Sequence, residues 1–579
     1  METEKLEAQV IEGSKYWMSA DFDEDTRQEV KRMLEQDPEL LTECFYTDLE
    51  FGTGGLRGLM GVGTNRVNKY TIGMATQGLL NYVKKQFPDT VLRFAIAHDC
   101  RNNSKEFTRF AAEVLASNGA EVYVFEELRP TPELSFAVRQ LGCHSGIVIT
   151  ASHNPKEYNG YKVYGQDGAQ VVAPHDKGII EEVRKVSSFA DVKKGNSGDR
   201  IRMIGKSMDD LYLDRLPHVS LIQGLEKEKS ELGIAYTSLH GTGITLIPDA
   251  LRLMGFTKLH IVSPQDRPDG NFPTAESPNP EEREALEMAL EQAAENDCEI
   301  VLGTDPDCDR VGVAFKENGK FRLLNGNETF SLLAWYHLNR WKDLGRLKGE
   351  EYIAKTVVTS DLISRMCEDF GVEAPETLTG FKFIAAEMRA REGKQSFIMG
   401  GEESYGYLSG DFVRDKDGVI ASCMIAETAA WGRSKGQSLG DILKEIHLKY
   451  GLFRESLVSV KKEGRAGKEA IAKMMQDFRD NPPKSLGGSK VTKIHDIKIG
   501  KAIFSDGSPA KAIDLPSSNV LQFFLEDGGK VSARPSGTEP KIKFYFSLRK
   551  EISASDNYEV EFEKLNNRVK EIQQELGLV

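Results

Sequence analysis

Four short stretches place reactive side chains directly behind apolar runs. In SGIVITASHNP, Ser152 and His153 stand side by side; in EIVLGTDPDCDR, Asp305, Asp307 and Asp309 take alternate positions of one loop. In SFIMGGEESYG, Glu402 and Ser404 lie two apart, on one side of an extended segment, and KVSARPSGTEP joins Arg534 to Ser536, Gly537 and Thr538. Three carboxylates in so short a loop can converge on a hard cation, most simply Mg²⁺. An EF-hand is excluded, because its sixth and twelfth positions, Gly and Glu, are here Arg310 and Lys316. Cys308, a poor ligand for a hard ion, is expected to pack. Arg310 beside three acids either neutralises them or presents a fork to a substrate oxygen. A guanidinium, two hydroxyls and a glycine describe a phosphate cradle, and Glu402 with Ser404 offers acceptors to vicinal hydroxyls. Each stretch alone also reads as an ordinary polar turn or strand end.

The elements that must position these loops follow from hydrophobic pattern. Residues 91–164 alternate strand-like runs (VLRFAIA, AEVYVF, SGIVIT) with helical SKEFTRFAAEVLASNG, and a helix start is expected at Thr131–Pro132. NGYKVYGQDG reads as a glycine-rich turn. The rhythm recurs over 232–315 and again over 325–445, whereas beyond about 450 a helix, several strands and a last helix near 558–576 follow. The expected fold is therefore α/β: three similar mixed or parallel-sheet domains over 1–205, 206–320 and 321–447, and an α+β domain over 448–579, around a central cleft. In parallel sheets ligands bind beyond the carboxyl ends of strands, where all four loops fall. GTGGLRG at 52–58 fits neither GxxxxGK[ST] nor GxGxxG, so no nucleotide is expected there; it is expected to carry Arg57 on a flexible backbone.

Composition narrows the function. A chain of 579 residues exceeds one hydrophobic core, and a formal charge of −14 argues against nucleic acid or an anionic membrane as main partner. Seven scattered cysteines without CxxC suggest neither a disulfide framework nor a zinc site, and fit a reducing cytoplasm. No signal core opens the sequence, and no apolar run reaches membrane-spanning length.

Taken together, TASHNP, DPDCDR, GEESYG and RPSGTEP, in this order, resemble the phosphoserine, metal, sugar and phosphate loops of the α-D-phosphohexomutase superfamily. The flanking EFGTGGLRG, LRPTPELSFAVRQLG, LHGTG, TLTGFKFI and GDFVRDKDG are most similar to its longer bacterial phosphoglucomutase branch. The resemblance implies that Ser152 carries a phosphoryl group, that Ser152, Asp305, Asp307 and Asp309 hold one Mg²⁺, and that glucose 1,6-bisphosphate is intermediate and activator. It implies catalytic roles for His153, Lys162 and Arg57, and substrate contacts by Arg310, Lys382, Glu402, Ser404, Lys416, Arg534, Ser536, Gly537 and Thr538, with Lys541 or Lys543 beside them. The expected activity is interconversion of glucose 1-phosphate and glucose 6-phosphate by a monomer or homodimer whose partners are hexose phosphates. Mannose or pentose phosphate as main substrate, a phosphatase, or a non-catalytic sugar-phosphate sensor are the alternatives. A sensor would not need Ser152 and all three aspartates.

Overall fold

The apolar runs of the first segment require cover on both faces, and the sheet they form supplies it. In a computed structural model describing residues 2–52, 54–195, 197–462, 464–536 and 541–578, the strands β1 (Gly55–Leu59), β2 (Arg93–His98), β3 (Glu121–Phe125), β4 (Ser145–Ile149), β5 (Tyr158–Gly165) and β6 (Ile201–Ile204) form one sheet. Their order is β1-β5-β4-β2-β3-β6. β4, β2, β3 and β6 run parallel, and β5 and β1 join antiparallel. Every residue of β4 is buried, as a strand sandwiched between helix layers must be. One of those helices, Lys69–Gln86, is started by Asn68, whose side chain accepts the Tyr70 and Thr71 amides while Thr71 returns a bond to the Asn68 amide.

Two expectations are corrected here. NGYKVYG is not a turn but strand β5, and Arg57 does not ride on a flexible loop: it lies in β1, opposite Gly160 of β5. Both were hidden by glycines, which pattern reasoning takes as chain breakers. Gly160 is required by close approach instead, since an added Cβ would lie 2.6 Å from the Thr150 carbonyl oxygen and 2.7 Å from that of Leu56.

The second sheet has the order β11-β10-β9-β7-β8, with β7 (Ile234–Thr237) parallel to β8 (Leu259–Ile261) and β9 (Ile300–Thr304), and β10 (Val311–Glu317) and β11 (Lys320–Leu324) antiparallel. The helix Gly418–Arg433 packs on β9, β10 and the helix Ile247–Leu253. Residues Ser404–Ser434 thus belong to the same compact unit as Met1–Asn325 and Met388–Ala390.

A second unit comprises Gly326–Glu387, Arg391–Glu403 and Lys435–Val579. In it β12 (Glu351–Thr356) runs parallel to β13 (Glu376–Thr377) on one side and β14 (Ser396–Glu402) on the other. Beyond 450 the chain opens with a strand rather than the expected helix. Leu452–Lys461 pairs along its length with Lys541–Lys550, and Lys530–Pro535, Leu521–Leu525, Ser489–Asp496 and Lys501–Phe504 follow across the antiparallel sheet. Alternation of charged and apolar residues in FRESLVSVK covers only one face of that sheet, a weaker signal than an unbroken apolar run. Among the described residues no helix is long and apolar enough to cross a membrane, and all seven cysteines are free.

The two halves of this unit meet through Val357, Val358, Leu378, Ile497, Val520 and Tyr545 and through a charge cluster built on the buried Lys355 and Lys530 and the partly exposed Asp361 and Glu376. Lys355 Nζ lies 3.0 Å from Asp361 Oδ1 and 2.6 Å from Glu376 Oε1, and Lys530 Nζ lies 2.8 Å from the same Asp361 oxygen. Removing Asp361 leaves the buried Lys530 ammonium without its carboxylate. Asp361→Ala is therefore expected to cost about 2 kcal/mol, read as a lower urea midpoint for the transition of this unit.

Candidate active site

β4 delivers Ser152 at its carboxyl end. The Ser152 amide donates to Thr150 Oγ1 at 2.8 Å, and the residue takes a left-handed backbone (φ +53°), which turns its side chain out of the strand direction. Its Oγ donates to Asp305 Oδ2 at 2.6 Å and lies 3.3 Å from His153 Nδ1. Arg57 Nη1 donates to Asn154 Oδ1 at 3.2 Å. The loop is tied down by Arg101, which was not singled out in the sequence. Its guanidinium donates to the carbonyls of Ser152 (2.7 Å), Pro155 (2.8 Å), Tyr158 (3.0 Å) and Asn154, and its Nε lies 3.3 Å from Asp99 Oδ2. The available signal was position: Asp99, Cys100 and Arg101 follow the apolar strand β2 directly, as the other site loops follow theirs.

The aspartate loop follows β9. Its three side chains are buried, with one oxygen of each within 4.8 Å of the others. Several of these carboxylate oxygens are engaged by neighbouring donors. Asp305 Oδ1 accepts the Asp309 and Arg310 amides, both at 3.1 Å. Asp307 Oδ2 accepts Thr131 Oγ1 at 2.9 Å and Lys162 Nζ at 2.6 Å. Asp309 Oδ2 lies 3.2 Å from Lys162 Nζ and 3.0 Å from Lys416 Nζ. Among the described residues Oδ1 of Asp307 and Oδ1 of Asp309 are buried without a hydrogen-bond partner, which is costly unless a cation takes them up. This oxygen-only donor set fits a hard divalent metal ion.

The charges are uneven. Burial pushes the Asp305 carboxyl well above the usual carboxylate range, and Asp307 and Asp309 push the same way. Burial would also raise Asp309, but Lys416, Lys162 and Arg310 hold it far below that range. For Asp307, burial and the Asp309 charge are outweighed by Lys162. Lys162, in turn, is held above its ordinary value by Asp307 and Asp309 despite its burial, and so stays an ammonium. Arg310 donates through Nη1 to Glu281 Oε1 at 2.6 Å and approaches Asp309 with Nε, as a neutraliser would.

Backbone contacts shape the loop from two sides. Thr131, the first residue of the helix Thr131–Gln140, donates its amide to the Asp307 carbonyl at 2.9 Å, so an orphan amide of a helix start is satisfied by the loop it supports. From LHGTG, the Thr242 amide donates to the Pro306 carbonyl at 2.8 Å. Cys308 is buried with Gly243 and Gly418 against it, the packing role expected of it.

In the second unit, β14 ends at Glu402, whose Oε1 accepts the Gly380 amide at 2.8 Å. Ser404 lies in the turn that follows, so the two are not neighbours on one extended face, as was expected. Lys382, in the helix Phe381–Arg391, has its Nζ 5.3 Å from the Phe383 ring centre. Arg534 stands in Lys530–Pro535 opposite Lys543 and hydrogen-bonds Tyr545, and the Ser536 amide donates to the Lys541 carbonyl at 2.8 Å. Gly537 and Thr538 lie outside the described residues.

Layered α/β sheets that present a serine and an acidic triad at strand ends define the class of an α/β phosphotransfer enzyme. Models of the α/β/α domains I, II and III of phosphoglucomutase/phosphomannomutase match residues 48–189, 210–319 and 325–450. The chain is 37% identical over 520 residues to a phosphoglucomutase of Staphylococcus haemolyticus, covering 89% of this chain and 92% of that one. It is 38% identical over 526 residues to one of Staphylococcus aureus, covering 90% and 93%. In fold it is similar to a putative phosphomannomutase of Thermus thermophilus (TM-score 0.68, 21% identity, 92% and 99% covered) and to parafusin of Paramecium (TM-score 0.67, 18% identity, 91% and 96% covered). The chain belongs to the phosphoglucomutase/phosphomannomutase family.

Close packing under the aspartate loop yields a prediction. At Gly241 an added Cβ would overlap Pro306 Cα and come within 2.8 Å of its carbonyl oxygen. Gly241→Ala is expected to weaken Mn²⁺ binding at least tenfold by titration calorimetry, with the circular dichroism spectrum unchanged.

Proposed function

We propose that the chain interconverts glucose 1-phosphate and glucose 6-phosphate through a phosphoserine at Ser152 and a glucose 1,6-bisphosphate intermediate. The observation that carries this is Ser152 Oγ at 2.6 Å from Asp305 Oδ2, a hydroxyl set against the acidic triad. The phosphoryl group on Ser152 passes to the free hydroxyl of the hexose monophosphate: the Oγ–P bond breaks, a sugar O–P bond forms, and the hydroxyl proton leaves to a base, for which His153 is the candidate. The bisphosphate then returns its other phosphoryl group to Ser152, and the serine ends as it began. Such transfers depend chiefly on positioning and charge, which accounts for a serine without a triad.

Asp305, Asp307, Asp309 and a Ser152-borne phosphoryl oxygen are the groups that would hold Mg²⁺, which supplies Lewis-acid withdrawal of charge. Lys162 and Arg57 steady the transferring group. Lys416 acts beside Lys162 on the same group, and Arg310 sets the charge of Asp309. Arg534, Ser536, Gly537 and Thr538 hold the phosphate that is not transferred, and Lys382, Glu402 and Ser404 contact the sugar. The segments 1–205, 206–320, 321–447 and 448–579 are the four domains of this assignment, and free thiols throughout suit a cytoplasmic enzyme. Ser152→Ala is expected to keep its melting temperature, to lose at least a thousandfold in kcat, and to show no added phosphoryl group in intact mass after incubation with glucose 1,6-bisphosphate. Retained turnover would point to another nucleophile.

Sugar preference follows from the intermediate. A bisphosphate that binds in two orientations exchanges C1 and C6, so the site must grip hydroxyls that fall in similar places both ways, those of C3 and C4. C2, where glucose and mannose differ, is then read loosely. Glucose phosphate is the main substrate, with detectable mannose phosphate turnover. Glu402→Ala should lower kcat/KM for both hexose 1-phosphates together. A wild-type preference for ribose 1-phosphate, or a mutant that loses one hexose alone, would overturn this.

A further inference from the structure

Lys416 reaches the aspartate loop from a segment more than a hundred residues away, and its side chain is held on more than one side. Its Nζ lies 3.0 Å from Asp309 Oδ2 and 3.5 Å from Oδ1 of Asp415, its neighbour in sequence. The Lys416 amide donates to the same Asp415 Oδ1 at 2.8 Å. The other Asp415 oxygen accepts the hydroxyl of Tyr164 at 2.8 Å. Tyr164 is fully buried, and its own carbonyl accepts Ser145 Oγ at 2.7 Å, so its ring has a fixed origin in β5. Burial and the Asp415 carboxylate push the phenol far above its ordinary value, so it remains a donor. Lys162 and Tyr164 stand two apart on β5, one touching Asp307 and Asp309, the other Asp415. The stem of Lys416 lies across Gly406, where any Cβ would overlap it.

From this geometry we infer that Tyr164 and Asp415 are positioning residues that set the Lys416 ammonium beside the aspartate loop for phosphoryl transfer. This rests on the mutase assignment and on Lys416 acting on the transferring group. Without the phenol, Asp415 loses the side-chain donor that reaches it from β5, and it can rotate with Lys416 following it.

The test is a double-mutant cycle on the full chain with Tyr164→Phe and Lys416→Met, measuring kcat, KM and melting temperature. Tyr164→Phe is expected to lower kcat about tenfold with KM changed less than about twofold, and to add no further loss of kcat in the Lys416→Met background. A purely structural phenol would lower the melting temperature and multiply the kcat loss equally in both backgrounds, which overturns the inference. So does Tyr164→Phe with wild-type kcat when Lys416→Met is inactive. Wild-type kcat in Lys416→Met removes the role of Lys416 itself, a failure of the mutase assignment for that residue and distinct from a failure of the pair. Asp415→Asn, which keeps an acceptor for the phenol but removes the charge facing Lys416, carries the same cycle if Tyr164→Phe does not fold.

Discussion

Three carboxylates buried within a few ångströms of one another are the constraint on which the first unit depends. Their mutual repulsion in a poorly solvated site has to be met largely by cations supplied from elsewhere in the chain, because the loop's own cation is Arg310 alone. The structure meets it unevenly. Lys162 and Lys416 sit on Asp307 and Asp309 and keep those two ionised, while Asp305 is left facing the Ser152 hydroxyl with its carboxyl shifted upward. The loop therefore has a charged side, held by lysines, and a side turned to the Ser152 hydroxyl. A phosphoryl group on Ser152 would bring further negative charge to that second side, which a divalent cation at the two unpartnered aspartate oxygens would offset.

Several backbone positions around the site share a left-handed conformation without glycine: Ser152 in TASHNP, Cys308 in the aspartate loop, and Leu239 and His240 in LHGTG. Each is disfavoured by roughly 1 kcal/mol and is kept by contacts around it. For Ser152 these are the Thr150 hydroxyl and the carbonyl bonds from Arg101. For His240 they are Nδ1 on the Arg267 carbonyl at 3.0 Å and Nε2 on Thr274 Oγ1 at 2.8 Å. The strain sits where the chain leaves a strand and turns sharply, and at Ser152 the bonds that hold it come from the buried Thr150 and Arg101.

What the sequence disclosed follows the same division. Ser152, the aspartates and Arg534 stood out because reactive types directly behind apolar runs are unusual outside strand ends, whereas Lys162 entered only through the family resemblance; the long buried strands and amphipathic helices were legible from periodicity. The strands carrying glycine or lysine were not: β1 and β5 read as loops, although β5 supplies both Lys162 and Tyr164. Arg101 was invisible for a different reason. Its partners are backbone carbonyls of Ser152, Asn154, Pro155 and Tyr158, and backbone acceptors leave no trace in side-chain pattern.

Charge balance also explains how the chain is partitioned. The segment Ser404–Ser434 follows β14 of the second unit in sequence, yet it is compact with the first. Its helix packs on β9 and β10, and the residues leading into it are spent on the first unit: Arg414 bonds Ser135 through its amide, Asp415 takes Tyr164, Lys416 takes Asp309, and Asp417 takes Tyr212 at 2.6 Å. A surface connection would carry such charges in solvent, where pairing is worth little. Buried, they are fixed by partners, and the Gly418 amide completes the attachment by donating to the Cys308 carbonyl inside the aspartate loop at 3.0 Å. An insertion in RDKDG would therefore act on the aspartate loop as directly as a change within DPDCDR, because the cation on Asp309 and a backbone donor to Cys308 both come from it.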